Sequence, residues 1–184
     1  MGPGSPGLAA VSGPMARPAG REGQTPSPLR RRILHAVINE TPYQPARVTM
    51  QVRWSDVDLF GHVNNAAFLR YLDDARFATF PRIGVDELGA LTEALLVVVK
   101  HEIDYRAPLT FTQAPVVVEV WVPRVGRSSV DFCYRITSGK TEHLLARSRM
   151  VQLDRESHRP RPFTDDERVS FEGHPGPEVV LHGW

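Results

Sequence analysis

The sequence holds one long amphipathic helix pattern and five strand patterns. Apolar residues at the spacing of a helix face follow Asn64, which lies where an N-cap is needed, and Pro81 closes the pattern: Phe68, Leu69, Leu72, Ala75 and Phe80. Strand segments cover residues 48–54, 95–105, 116–122, 129–137 and 143–153, with a short helical connection predicted over residues 85–94. Because one helix cannot cover both faces of a five-stranded sheet, we predict an α+β fold in which a curved antiparallel sheet wraps around one long central helix.

The folded part is predicted to be one domain with an extension at each end. Residues 1–46 hold half of the 16 prolines and are rich in glycine and arginine, which predicts a disordered arm. A start codon assigned too far upstream, or an organelle transit peptide, would also explain this composition. Residues 47–159 form the predicted domain. Residues 160–184 are polar and carry proline and glycine, which predicts a loose C-terminal extension.

Composition sets limits on partners and location. The chain has 41% hydrophobic and 23% charged residues, as in ordinary globular proteins. A net charge of +1 argues neither for nor against a nucleic-acid partner, and none is predicted. The longest dense apolar run, residues 95–99, is far shorter than the roughly 18 residues of a membrane span. The lone Cys133 cannot form an intrachain disulfide, so we expect a core residue and a reducing compartment, the cytoplasm.

The stretch of residues 53–76 carries the candidate chemistry. Asp58 lies in a Gly-containing turn before the helix, whose first backbone amides have no intrahelical partner. Those amides and the positive end of the helix dipole can polarise a carbonyl and hold an oxyanion. A carboxylate near them can attack a thioester carbonyl or activate a water for that attack. An Asx turn or a helix cap is the simpler interpretation of Asp58.

Three ordered motifs resemble a known family. The string DLFGHVNN over residues 58–65, with Tyr71 and residues 74–76, is similar to the D-x-x-G-H-V-N-N helix entry of the 4-hydroxybenzoyl-CoA thioesterase superfamily. Residues 103–108 resemble a strand-ending I-x-Y-x-x-P, and residues 126–129 resemble a G-[KR]-S turn. Within the superfamily, the branch containing bacterial long-chain acyl-CoA thioesterase III looks closest.

The resemblance implies a hotdog fold in which two protomers join their sheets edge to edge, with active sites in the dimer interface. It implies a homodimer or a dimer of dimers, Asp58 as the catalytic carboxylate, an acyl-CoA substrate, and no metal or redox cofactor. One departure stands at Asn65, where another branch of the superfamily has a histidine. Asn65 is therefore expected to position water or the thioester carbonyl.

Other residues complete the predicted site. His62 is a candidate acid or loop-orienting residue, with a structural hydrogen bond as the simpler role. The remaining predicted substrate-binding residues come from the helix entry, the strand end and the turn: Gly61, Val63, Asn64, Tyr105, Arg127 and Ser128. Tyr105 is expected near the acyl pocket. Arg127 is expected to contact a coenzyme A phosphate, with Arg106 and Arg124 as alternatives.

Rival carboxylates and rival functions remain open. Asp56 follows directly on the first strand and is the nearest alternative to Asp58. Asp73 and Asp74 could supply a helix-borne carboxylate, although surface pairing with Arg70 would explain both. The predicted function is hydrolysis of a fatty acyl-CoA, the aliphatic run over residues 95–99 favouring a fatty over an aromatic acyl group. The alternatives are a non-catalytic acyl-CoA-binding hotdog domain and a hotdog acyl-thioester dehydratase or hydratase.

Overall fold

The computed structural model describes residues 42–80, 95–112 and 114–182, and the predictions for residues 1–41 and 85–94 lie outside the described residues. The elements in chain order are β1 (Ala46–Met50), a 3-10 turn (Trp54–Asp56), α1 (Asn65–Thr79), β2 (Leu95–Tyr105), β3 (Val116–Val125), β4 (Ser129–Ser138), β5 (Thr141–Leu153) and α2 (Asp165–Glu172). None of the helices in these described segments is long and apolar enough to cross a membrane.

All five strands form one antiparallel sheet with the order β1-β3-β4-β5-β2. Helix α1 packs its apolar face, with Leu72 and Ala75 fully buried, onto the inner face of this sheet. The predicted α+β class and the antiparallel sheet around one long helix are confirmed. Strands β1 and β2 are the two edges. The short second helix, α2, was not predicted.

Helix α1 begins where the sequence signals placed it. The side chain of Asn64 accepts a hydrogen bond from the Ala66 amide, which caps the helix. Val63 and Phe68 on either side of the cap are buried in the same core cluster. The expected pairing of Arg70 with Asp73 or Asp74 is wrong: Arg70 bonds to Asp56, 3.0 Å away, because the loop before the helix folds back onto it.

The first strand ends earlier than its pattern predicted. Residues 51–54 continue the alternation, yet β1 stops at Met50 and Trp54 begins the 3-10 turn, with 76% of its surface exposed. The cause is the buried carboxylate of Asp56, which accepts a hydrogen bond from the Arg53 amide at 3.0 Å. This bond turns the chain away from the sheet and toward α1.

The expectation of a loose C-terminal extension is wrong. A capping box joins Thr164 and Glu167 at the start of α2, and Phe163 and Phe171 lie in the main core cluster. Beyond α2, the segment of residues 174–182 crosses the outer face of the sheet, where Trp121 Nε1 donates to the Pro177 carbonyl at 2.7 Å. These apolar residues are too scattered to give a helix or strand period, so the sequence pattern did not predict their packing.

Both terminal segments pack closely against the outer face of the sheet. A Cβ at Gly176 would collide with the Trp121 ring, so only glycine fits there. Val179 and Leu181 pack over Cys133, whose burial raises the pKa of its thiol to about 11. Residue Tyr43, assigned to the arm, packs edge-on against Trp121 with ring centroids 5.2 Å apart. The described end of the arm therefore packs against the domain.

Candidate active site

Asp58 lies at the base of a tight hairpin formed by residues 57–63. Its amide donates to the His62 carbonyl at 2.9 Å, and its carbonyl accepts from the Gly61 amide at 3.0 Å. Gly61 has φ 76°, a left-handed conformation that suits glycine. Asp58 Oδ1 accepts a hydrogen bond from the Phe60 amide at 2.9 Å. The Asx-turn role of Asp58 is thus present, and it occupies one of its two carboxylate oxygens.

The helix end beside this hairpin offers one backbone donor. Asn64 accepts from the Ala66 amide with its side chain and from the Ala67 amide, at 2.8 Å, with its carbonyl. The Asn65 amide makes no hydrogen bond to another described residue. It stands at the positive end of the α1 dipole, where an oxyanion is stabilised. The hairpin and helix end together supply a carboxylate and an amide donor.

The rival carboxylate, Asp56, is fully engaged in holding the loop. Only 2% of its surface is exposed, and it accepts hydrogen bonds from Tyr71 Oη at 2.7 Å, Arg70 at 3.0 Å and the Arg53 amide. Burial alone would raise the pKa of Asp56, but these hydrogen bonds and the charge of Arg70 outweigh it and hold the pKa below its usual value. Asp56 anchors the hairpin to α1 and is closed to a substrate.

Tyr105 ends β2 beside the start of α1. Its hydroxyl lies 3.5 Å from the Asn65 carbonyl, and its ring packs edge-on against Phe68 at 5.7 Å. Partial burial raises the pKa of this phenol. The structure therefore brings Tyr105 to Asn65 at the start of α1, and its place near the acyl pocket stays a prediction.

His143, which the sequence analysis missed, holds the loop that follows β2. His143 is buried, with Nδ1 3.2 Å from the Ala107 carbonyl and Nε2 2.6 Å from Ser138 Oγ. The loop continues to Leu109, whose carbonyl accepts from the Val63 amide at 2.7 Å. A single histidine inside a strand pattern gives no sequence signal for this contact, because it depends on the register between β2 and β5.

The backbone of His62 contacts the loop that follows β2. It forms an isolated bridge with Thr110, and its side chain is exposed, with no hydrogen bond to another described residue. The predicted structural side-chain hydrogen bond is therefore absent from the described part of the chain. The catalytic role of His62 stays a prediction.

Arg127 and Ser128 lie at the opposite end of the protomer from Asp58. The Ser128 carbonyl accepts from the Gln152 amide at 2.8 Å, and Leu153 pairs with Leu95, the first residue of β2. Tyr105 is the last residue of β2, so the turn and the helix entry are roughly 30 Å apart at the rise of a strand. One protomer does not bring these predicted site residues together.

The helix-borne carboxylates point to different flanks of α1. Asp73 forms an ion pair with the buried Arg76, whereas Asp74 lines a cavity of about 320 Å³ between α1 and β1. Neither lies at the helix end. Within the described residues, no group of three or more His, Cys, Asp or Glu side chains is arranged to hold a metal ion.

Comparison with known proteins places this site in a family. A family model described as "Thioesterase-like superfamily" matches residues 52–171, well over half of the chain. The chain belongs to this superfamily. The match includes both the hairpin of Asp58 and helix α1 that follows it. The thioesterase-like chain is a thioester hydrolase, and the resemblance seen in the sequence is confirmed at the level of the superfamily. Its assignment to the long-chain acyl-CoA thioesterase III branch stays a prediction.

Solved structures agree with this membership. A thioesterase from Thermus thermophilus, complexed with coenzyme A and Zn, is 35% identical and has a TM-score of 0.59, with 70% of this chain and 98% of that chain covered. The PA2801 protein of Pseudomonas aeruginosa, a putative thioesterase, is 31% identical with a TM-score of 0.58, over 69% and 96% of the two chains. A predicted thioesterase from Bacillus stearothermophilus has a TM-score of 0.65 over 73% and 99%, and at 23% identity it supports the fold alone.

Proposed function

We propose that this thioesterase-like protein hydrolyses acyl-coenzyme A to a free acid and coenzyme A, with Asp58 as general base or nucleophile. The observation that carries the proposal is that the Asp58 hairpin leads directly into the helix end, where the Asn65 amide is a free donor among the described residues. The similar thioesterase of Thermus thermophilus binds coenzyme A, which supports this form of thioester.

The reaction needs a nucleophile, an oxyanion site and a leaving thiolate. Asp58 Oδ2, the oxygen not used by the Phe60 amide, removes a proton from water as the water oxygen attacks the thioester carbon, or it attacks that carbon itself. The negative charge then moves to the carbonyl oxygen, where the Asn65 amide and the α1 dipole stabilise it. Collapse of the intermediate breaks the carbon–sulfur bond and releases the coenzyme A thiolate. In the nucleophilic route, water hydrolyses the resulting anhydride.

The proposed assembly is a homodimer joined through β2. This strand is an edge of the sheet, and Val98 and Val99 are exposed along it, which leaves a pairing edge open. Antiparallel pairing of two β2 strands would place the Tyr105 end of one protomer beside the Leu95 end of its partner. The predicted contact of Arg127 and Ser128 with coenzyme A would then be made by the partner of the protomer that supplies Asp58.

Sedimentation of the purified protein tests this assembly. We expect a dimer, or a dimer of dimers, at micromolar concentration, and we expect Val99→Lys to shift it toward a monomer with lower activity because a charge on an edge strand opposes pairing. Val169→Lys is the matched control, since Val169 is exposed on α2, away from that edge. A wild-type monomer would contradict both the dimer and an interfacial site.

The acyl group and the location are finer parts of the proposal. We favour a fatty acyl group because β2 begins with the aliphatic run of residues 95–99. The chain's single cysteine, Cys133, is a free thiol, which suits the reducing conditions of the cytoplasm.

A panel of acyl-CoA substrates tests the activity directly. Free coenzyme A would be followed with a thiol reagent for short, medium and long saturated acyl-CoAs and for benzoyl-CoA. Cys133 is buried, so it adds little background in the native protein. We expect thiol release above the spontaneous rate for at least one fatty acyl-CoA. Binding without thiol release would favour the acyl-CoA-binding alternative, and hydration of an enoyl-CoA without thiol release would favour the hydratase.

A further inference from the structure

Helix α1 has two flanks of different character. Tyr71 and Ala78 face β1 and line the cavity between α1 and that edge strand. Phe68 and Arg76 face the other way: the Phe68 ring meets Tyr105 of β2, and Arg76 donates to Tyr134 Oη at 2.9 Å. The second flank therefore faces the inner surface of β4, β5 and β2.

A chain of polar side chains lies along this second flank. Arg76 is 2% exposed, forms an ion pair with Asp73, and has a buried Nε with no hydrogen-bond partner among the described residues. Tyr134 and Ser148 are fully buried and interact with each other. His101 Nδ1 lies 2.7 Å from Ser148 Oγ. The chain of contacts thus runs from the helix across the sheet to the edge strand.

The last member of this series of side-chain contacts, His101, is open to solvent. His101 lies opposite Ser148 in the β2–β5 pair, so both project from the inner face. The imidazole is exposed, and its Nε2 makes no hydrogen bond to another described residue. Partial burial and then the charge of Arg76 lower the pKa of His101, which keeps the ring neutral at pH 7. The open end therefore offers a neutral hydrogen-bonding group.

Asp73 and His101 lie at similar distances, along their own elements, from the contact between Asn65 and Tyr105. Asp73 is eight residues after Asn65 in α1, which is about 12 Å along the helix axis. His101 is four residues before Tyr105 in β2, which is about 13 Å along the strand. An extended chain of roughly ten carbons covers that distance at ordinary covalent geometry. An acyl group that started at the Asn65 amide and followed this flank would end beside His101 and Asp73.

The end of a saturated acyl chain would bind poorly beside His101 and Asp73. Its methyl end would take water from the His101 ring and the half-exposed Asp73 carboxylate without giving either a hydrogen bond. A hydroxyl can both donate and accept, so it suits either tautomer of a neutral imidazole. A carboxylate would be attracted by Arg76 and repelled by Asp73.

We propose that His101, with Asp73 and Arg76 behind it, selects acyl groups that carry a hydroxyl near the end of a medium-length chain. This specificity rests on the proposed function, because it assigns the acyl end of the same site. The sequence analysis had no signal for it, since the three residues come together only through the strand register and the helix flank.

Specificity constants for three ten-carbon substrates test the proposal: decanoyl-CoA, 10-hydroxydecanoyl-CoA and sebacyl-CoA, the dicarboxylic analogue. We expect kcat/KM of the wild type to favour the hydroxy substrate over decanoyl-CoA by roughly 10-fold or more. His101→Leu should abolish or reverse that ratio, and His101→Gln, which keeps a hydrogen-bonding group, should retain part of it. Lys100→Leu is the matched control, because Lys100 is exposed on the outer face of the same strand.

The outcomes separate this proposal from the activity itself. Hydrolysis of decanoyl-CoA and 10-hydroxydecanoyl-CoA at equal efficiency would overturn the specificity and leave the thioesterase activity standing. A preference for sebacyl-CoA would overturn the hydroxyl class and indicate anion recognition by Arg76. An unchanged ratio in a folded His101→Leu would remove His101 from the acyl site. Absence of thiol release from every acyl-CoA would overturn the proposed function and the specificity with it.

Discussion

Replacing Asp58 by asparagine is expected to lower kcat for acyl-CoA hydrolysis at least about 100-fold, the usual loss when a general base is removed, and by more if Asp58 is the nucleophile. An amide can neither take the proton from water nor attack the thioester carbon. It can still accept the Phe60 amide hydrogen bond through Oδ1, so the hairpin keeps its turn. The Asn65 amide is untouched, so substrate binding and the carbonyl site should persist. The effect should therefore appear in kcat far more than in KM.

The matched control for this experiment is Asp74→Asn. Asp74 carries the same charge and is exposed on the β1 flank of α1, so its replacement should leave kcat within about two-fold of wild type. Thermal unfolding of Asp58→Asn close to that of wild type would show that chemistry was removed and not the fold. Hydrolysis by Asp58→Asn at the wild-type rate would contradict the assignment, and Asp73 would become the next carboxylate to replace.

Helix α1 could be predicted well because its signals are local. The Asn64 cap and Phe68, the first residue of the apolar face, are recognised within a few residues of the helix start. Strand β2 likewise has the bounds of the strand segment predicted over residues 95–105. The motif around Asp58 could be recognised for the same reason, since the hairpin and the helix entry are contiguous in the chain.

The parts that could not be predicted depend on contacts distant in sequence. Strand β1 ends at Met50 because of the Asp56 carboxylate, although the alternating pattern continues. Residues 174–182 pack because Trp121, far away in sequence, provides a surface for them. The separation of Arg127 from Asp58 is likewise set by strand order, which neither motif contains. In each case the deciding partner is identified only by the topology.

Replacing Asp56 by alanine is expected to lower the free energy of unfolding by about 3 kcal/mol, because a buried carboxylate that accepts three hydrogen bonds is lost. The change leaves the Tyr71 hydroxyl buried without its acceptor and removes the partner of Arg70. Urea unfolding would measure it, with Asp74→Ala as the exposed control expected to stay within about 0.5 kcal/mol of wild type. A loss for Asp56→Ala no larger than the control would contradict the anchoring role.

The same carboxylate predicts a pH dependence with a definite sign. Because the pKa of Asp56 is held below its usual value in the folded protein, the unfolded chain takes up the proton first as the pH falls. The stabilisation is fully present above the ordinary aspartate pKa of about 4 and is lost as the pH falls through the lower folded pKa. Asp56→Asn cannot titrate, so its free energy of unfolding should fall less steeply over this acidic range. Equal slopes would contradict the lowered pKa. At neutral pH, the activity of Asp56→Asn should follow the folded fraction, whereas that of Asp58→Asn should be lost from fully folded protein.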